Sequence, residues 1–127
     1  IKLRYLDRDN DKRRQVAEIY NKELSGTSLI VPRQRENTTH VYHLYVARSA
    51  KRDVLLEFLK KNEVGALIHY PFPVHKQPAY KNRVSGSNSL AETEKAAREI
   101  LSLPMFPELS KSDAENVVKA IKSFFTD

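Results

Sequence analysis

The sequence has no cysteine, no tryptophan, one methionine and only 3 glycines in 127 residues. Without cysteine, a disulfide scaffold, a thiolate zinc site and a cysteine nucleophile are excluded together. Long apolar runs are missing as well, and nothing approaches the roughly 18 residues needed to cross a bilayer. The opening Ile1-Lys2-Leu3-Arg4-Tyr5-Leu6-Asp7 does not have the layout of a cleavable signal. A cytoplasmic protein with no membrane partner is the resulting expectation. No Gly-x-Ser-x-Gly elbow is present, so Ser/His/Asp catalysis has no support. The first residue is Ile1 and the sole methionine is Met105, so the chain reads as a piece of a longer protein.

Acid is scarce in one place. From Gly65 to Ala91 there is no Asp or Glu, while His69, His75, Lys76, Lys81 and Arg83 all lie there. The formal net charge of +6 raises a polyanion as partner, and the excess gathers around this stretch. Lys12-Arg13-Arg14 and Lys60-Lys61 have acids within a few residues, which is the pattern of solvated helix faces. A nucleic-acid-binding or regulatory module is the competing class, but no recognition-helix or aromatic nucleic-acid signature supports it.

What is present describes one folded unit. Apolar residues make up 40% and charged residues 30% of the chain, proportions of a helix-rich globular domain. Leu3, Leu6, Val16, Ala17, Tyr20 and Leu24 recur at helical spacing, so residues 2–24 read as a long amphipathic helix closed by Gly26. His40-Val41-Tyr42-His43-Leu44-Tyr45-Val46-Ala47 is rich in β-branched and aromatic residues, apolar on both faces, and predicts a central strand. Ser49 is placed to cap a helix over 50–61 carrying Val54, Leu55, Phe58 and Leu59, with Asn62 and Gly65 to close it.

Ala66-Leu67-Ile68-His69-Tyr70 predicts a second short strand, stopped by Pro71 and Pro73. Ser89-x-x-Glu92 and Ser110-x-x-Asp113 have capping-box spacing ahead of two further helices, and residues 101–105 suit a third short strand between them. The predicted fold is α+β, helices packed on a small sheet of about three strands. Residues 1–127 form a single domain, with a helix over 1–25 and the α+β unit over 40–127. Strand direction is not readable from the pattern.

The run Gly65-Ala66-Leu67-Ile68-His69-Tyr70-Pro71-Phe72-Pro73-Val74-His75-Lys76-Gln77-Pro78-Ala79-Tyr80 resembles the signature of the DegT/DnrJ/StrS sugar aminotransferase family. The strand at 40–46 looks like that family's strand. Ala96-Ala97-Arg98-Glu99-Ile100-Leu101-Ser102-Leu103-Pro104-Met105 looks like its closing motif. The three blocks fall in family order and cover almost the whole chain, far more than a lone short motif would.

The resemblance implies the C-terminal small domain of a fold-type-I pyridoxal-phosphate enzyme, with the first helix in the place of the interdomain helix. Such an enzyme moves an amino group, usually from glutamate, onto a nucleotide-linked keto sugar, and works as a homodimer. It also implies that the lysine carrying pyridoxal phosphate and the other cofactor-binding residues lie in an upstream domain, so no catalytic or cofactor-binding residue is expected here and the fragment alone is expected to be inactive. Relatives that use the same cofactor for sugar dehydration, with histidine in place of that lysine, remain an alternative.

By the same resemblance His69 and Tyr70 help position the nucleotide sugar. His75 and Lys76, in the acid-free stretch, would add positive potential for a diphosphate. The residue types suit the task, since histidine donates to phosphate or sugar oxygens and tyrosine offers a hydroxyl and a flat apolar face. His40 and His43, three apart on a strand, would point to opposite faces and cannot share a metal ion. His43 is read as a core or interface residue, and Tyr42, Tyr45 and Tyr80 as packing groups rather than a base-stacking platform.

Overall fold

The structure, a computed structural model, describes residues 1–80, 83 and 90–126. A 3-10 turn, Lys2–Tyr5, leads into helix α1, Leu6–Leu24. Val16, Ala17, Tyr20 and Leu24 bury one face of α1, while Asp7 and Asp9 in the first turn and Lys22 in the last complement the helix dipole. Leu3 and Leu6, predicted to belong to the apolar stripe, are exposed. The helix is closed by hydroxyls: Ser25 Oγ donates to the Lys22 carbonyl at 2.9 Å and Thr27 Oγ1 to the Leu24 carbonyl at 2.8 Å. Gly26 does not need a left-handed backbone there.

Strand β1, Tyr45–Arg48, pairs antiparallel with β2, Ile100–Leu103, in the register Tyr45↔Leu103 through Arg48↔Ile100. The strand predicted from residue 40 therefore starts late. Tyr42 has φ 46°, and its N–H donates to His40 Nδ1 at 2.9 Å. That local turn uses the backbone donor a ladder would need. His43 sits before the strand and is exposed, not in the core.

Among the described residues the sheet has two strands, and the predicted strand at 66–70 contributes one bridge, Leu67↔Ser102. Pairing stops there because Tyr70 takes φ 60° and Pro71 has no N–H to donate. A second bridge, Ile30↔Arg48, holds the connection after α1 against the other end of β1.

Helix α2 spans Arg52–Lys61. Ser49 is buried and its Oγ accepts from the Lys51 N–H at 3.1 Å, shaping the turn before the helix. The left-handed residue at its end is Glu63, φ 59°, not Gly65. With Glu63 turned this way, the Val64 N–H reaches the Leu59 carbonyl at 2.9 Å.

Helix α3 spans Ala91–Glu99 and α4 spans Lys111–Thr126. The N-cap half of the predicted box at α4 is present, with the Asp113 N–H donating to Ser110 Oγ at 3.0 Å, and the Asp113 carboxylate accepts from the Ser110 hydroxyl at 2.6 Å. The Ser89 half of the other box lies outside the described residues. Ala114, Val117, Val118 and Ile121 line the buried face of α4.

The core joins the buried faces of α1, α2 and α4 to the sheet residues Tyr45, Ala47, Leu101 and Leu103. Full burial of an aliphatic side chain such as Leu24, Leu55 or Leu59 contributes about 1.5–3 kcal/mol. Tyr20 and Tyr45 meet edge to face with ring centroids 4.9 Å apart. Their hydroxyls are satisfied, Tyr20 donating to the Pro104 carbonyl at 2.9 Å and Tyr45 to Asn21 Oδ1 at 2.7 Å. Burial pushes both phenol pKa values above their ordinary range. Lys122 Nζ meets Glu23 Oε2 at 2.7 Å and ties α4 to α1.

Candidate functional site

The chain leaves the sheet at Leu67 and runs outward through the prolines. Tyr70, the residue that turns it, is a non-glycine residue in the left-handed region, a conformation costing roughly 1–2 kcal/mol. Its side chain is 83% exposed, so packing of that ring does not offset the cost. Backbone strain held beneath an outward side chain is characteristic of binding sites. Phe72 and Val74 are exposed as well, at 68% and 60%, which leaves an apolar rim beside the polar pair His69 and Tyr70.

His69 is half-buried, with Nδ1 2.8 Å from Ser102 Oγ and its ring centroid 6.5 Å from that of Tyr70. This places the predicted pair at the edge of the sheet, outside the core. His75 is turned the other way. It is buried inside the 3-10 turn Val74–Lys76, and its Nε2 lies 3.2 Å from Glu94 Oε1. Lys76 Nζ reaches the same oxygen at 3.0 Å. The hydrogen bonds from Lys76 first and His75 second hold the Glu94 carboxyl below its ordinary pKa.

The four candidates thus form two pairs: half-buried His69 with exposed Tyr70 at the sheet edge, and His75 with Lys76 gathered on one carboxylate. The stretch without acids receives its acid from α3, and Glu94 offsets the positive potential expected of His75 and Lys76. Glu94 was invisible as a partner because it lies 18 residues beyond Lys76 in sequence. Ser102 was missed too. Its only local signal is a polar residue between two leucines. Lys81, another cation of the stretch, lies outside the described residues.

Tyr42 and Tyr45 are buried packing groups as expected, whereas Tyr80 is 47% exposed. Among the described residues no group of three potential metal ligands occurs and no helix is long and apolar enough to cross a membrane. Pyridoxal phosphate needs a lysine inside an enclosed pocket, and among the described residues no lysine is buried. These residues do not fit the cofactor.

A two-stranded α+β unit with a stiff aromatic loop is the fold of a segment of the sugar aminotransferases. It superposes on DesV of S. venezuelae with a TM-score of 0.95 at 34% identity, covering 100% of this chain and 34% of that one. A DegT DnrJ EryC1 StrS aminotransferase from Brucella abortus matches with a TM-score of 0.86 at 30% identity, covering 99% and 34%. The chain belongs to the DegT/DnrJ/EryC1/StrS aminotransferase family, whose pattern matches residues 1–122.

Among curated relatives, the dTDP-3-amino-3,6-dideoxy-alpha-D-galactopyranose transaminase of Aneurinibacillus thermoaerophilus is 36% identical, matched over 98% of this chain and 34% of its own length. A protein of Geobacillus stearothermophilus described as a pleiotropic regulatory protein is 38% identical with the same coverage. The chain spans about a third of the length of the curated relatives it matches.

Proposed function

We propose that this chain is the C-terminal, substrate-positioning part of a pyridoxal-phosphate-dependent aminotransferase that transfers an amino group, usually from glutamate, to a nucleotide-linked keto sugar. The supporting observation is the His69–Tyr70 pair at the sheet edge, with Tyr70 exposed, on a loop stiffened by Pro71 and Pro73, in a chain similar along nearly its whole length to sugar transaminases. When bound, pyridoxal phosphate supplies the carrier for the amino group. We assign its binding to a domain upstream of this chain, in a cytoplasmic homodimer. Within this chain, His69 donates to phosphate or sugar oxygens and the Tyr70 ring and hydroxyl border the sugar. His75 anchors the loop through Glu94, and Lys76 keeps half its side chain exposed beside it for the diphosphate.

Two measurements test this. This chain alone, incubated with pyridoxal phosphate, is expected to give no lysine-dependent absorbance band and no transamination, and a band abolished by changing a single lysine would overturn the assignment. In the full-length protein, His69→Asn and Tyr70→Phe are expected to weaken the half-reaction with the nucleotide sugar about tenfold while leaving the amino-donor half-reaction within about twofold. Equal slowing of both half-reactions would make the pair structural. Lysine or histidine at the cofactor-bearing position upstream separates aminotransferase from dehydratase.

A further inference from the structure

Ser102 is the polar residue of β2 and is only 3% exposed. Its neighbours Leu101 and Leu103 enter the apolar core, and strand alternation sends Ser102 to the other face of the sheet. That face also carries Leu67, its bridge partner, and two residues further on His69. The backbones of Leu67 and Ser102 exchange two hydrogen bonds, of 3.0 and 2.7 Å, so the segment bearing His69 is fixed against the residue bearing the hydroxyl. A buried hydroxyl left unpartnered is destabilising. The side chain that meets it is His69, through Nδ1, at 2.8 Å.

We propose that Ser102 is a positioning residue for His69. It holds the ring by Nδ1, so that the loop presents Nε2–H to the oxygens of an anionic, hydroxyl-rich ligand such as the nucleotide sugar. This rests on the reading of His69 as substrate-facing. A hydroxyl suits the task because it can donate to Nδ1 of a neutral imidazole and accept from Nδ1–H of a protonated one. In the proposed arrangement the hydroxyl donates to the neutral ring, and Nε2 keeps its hydrogen in both states. A backbone carbonyl or a carboxylate at the same place would demand Nδ1–H and leave the neutral ring with an Nε2 lone pair, which repels phosphate oxygens.

The test uses the full-length protein with 15N-labelled histidine and the variants Ser102→Ala, Ser102→Thr and His69→Asn. Imidazole nitrogen shifts of His69 should report the Nε2–H tautomer in the parent and in Ser102→Thr, and a mixed population in Ser102→Ala. Ser102→Ala should raise KM for the nucleotide sugar roughly fivefold to tenfold with kcat and the amino-donor half-reaction within about twofold, and threonine should restore it. An unchanged tautomer in Ser102→Ala, an unchanged KM, or equal loss in both half-reactions would each overturn the positioning role. If instead the tautomer follows Ser102 while His69→Asn leaves the sugar KM untouched, the hold stands and the assignment of His69 to the sugar falls.

Discussion

The chain uses its aromatic residues in two opposite ways. Tyr20, Tyr42 and Tyr45 sit between α1 and the sheet, each no more than 5% exposed, and the hydroxyls of Tyr20 and Tyr45 are spent on internal acceptors. Tyr70, Phe72 and Tyr80, all on the loop after Leu67, are 83%, 68% and 47% exposed. The first set follows ordinary burial, with polar tips satisfied. The second leaves large apolar area in water on a backbone held by prolines and a left-handed turn. Clustered exposure of that kind marks an interaction surface. The two sets separate what holds this unit together from what it leaves at its surface.

The sharpest way to break that division is truncation on each side of it. Tyr45→Ala should cost about 3–5 kcal/mol in urea unfolding, as for other large buried aromatics, whereas Tyr70→Ala should stay within about 0.5 kcal/mol. Comparable losses would mean that the loop is part of the core. A smaller effect is expected at α4, on the structural side: Ser110→Ala removes the acceptor of the Asp113 N–H and should cost about 1 kcal/mol.

The least effect concerns how the loop is held. Glu94 has its carboxyl pKa lowered by Lys76 and His75, so its clasp is fully present above the ordinary glutamate value and is lost as pH falls through the lower, folded value. The Glu94 carboxyl carbon should therefore titrate by NMR below the ordinary 4.5, and the midpoint should rise in Lys76→Met. A midpoint that ignores Lys76 would remove Lys76 from the clasp and leave His75 as its link to α3.

Periodicity and capping boxes carried most of the helices, because a helix is specified by residues close together in sequence. Helix α4 and its Ser110 cap were legible for that reason. Strand limits were not, since they depend on events at single residues. Tyr42 and Tyr70 each take a left-handed backbone that nothing in their side chains announces, and each cuts a predicted strand short. At the candidate site, the position of His69 and Tyr70 at the sheet edge was legible through the prolines that end the segment. Its supports were not: Ser102 lies 33 residues beyond His69 and Glu94 lies 19 beyond His75. A local reading contains no term for partners brought together by the sheet.

The packing of α1 on α4 also sets the order in which the molecule is able to fold. Glu23 finds Lys122 across 99 residues, and Tyr20 finds Pro104 across 84. The closure entropy of such loops is spent before their contacts repay it. During synthesis the apolar face of α1 emerges before α4 and waits, open to chaperones or to wrong partners, until α4 has left the ribosome. A shortage of completed chains should therefore follow from any pause placed between Pro104 and Ile121.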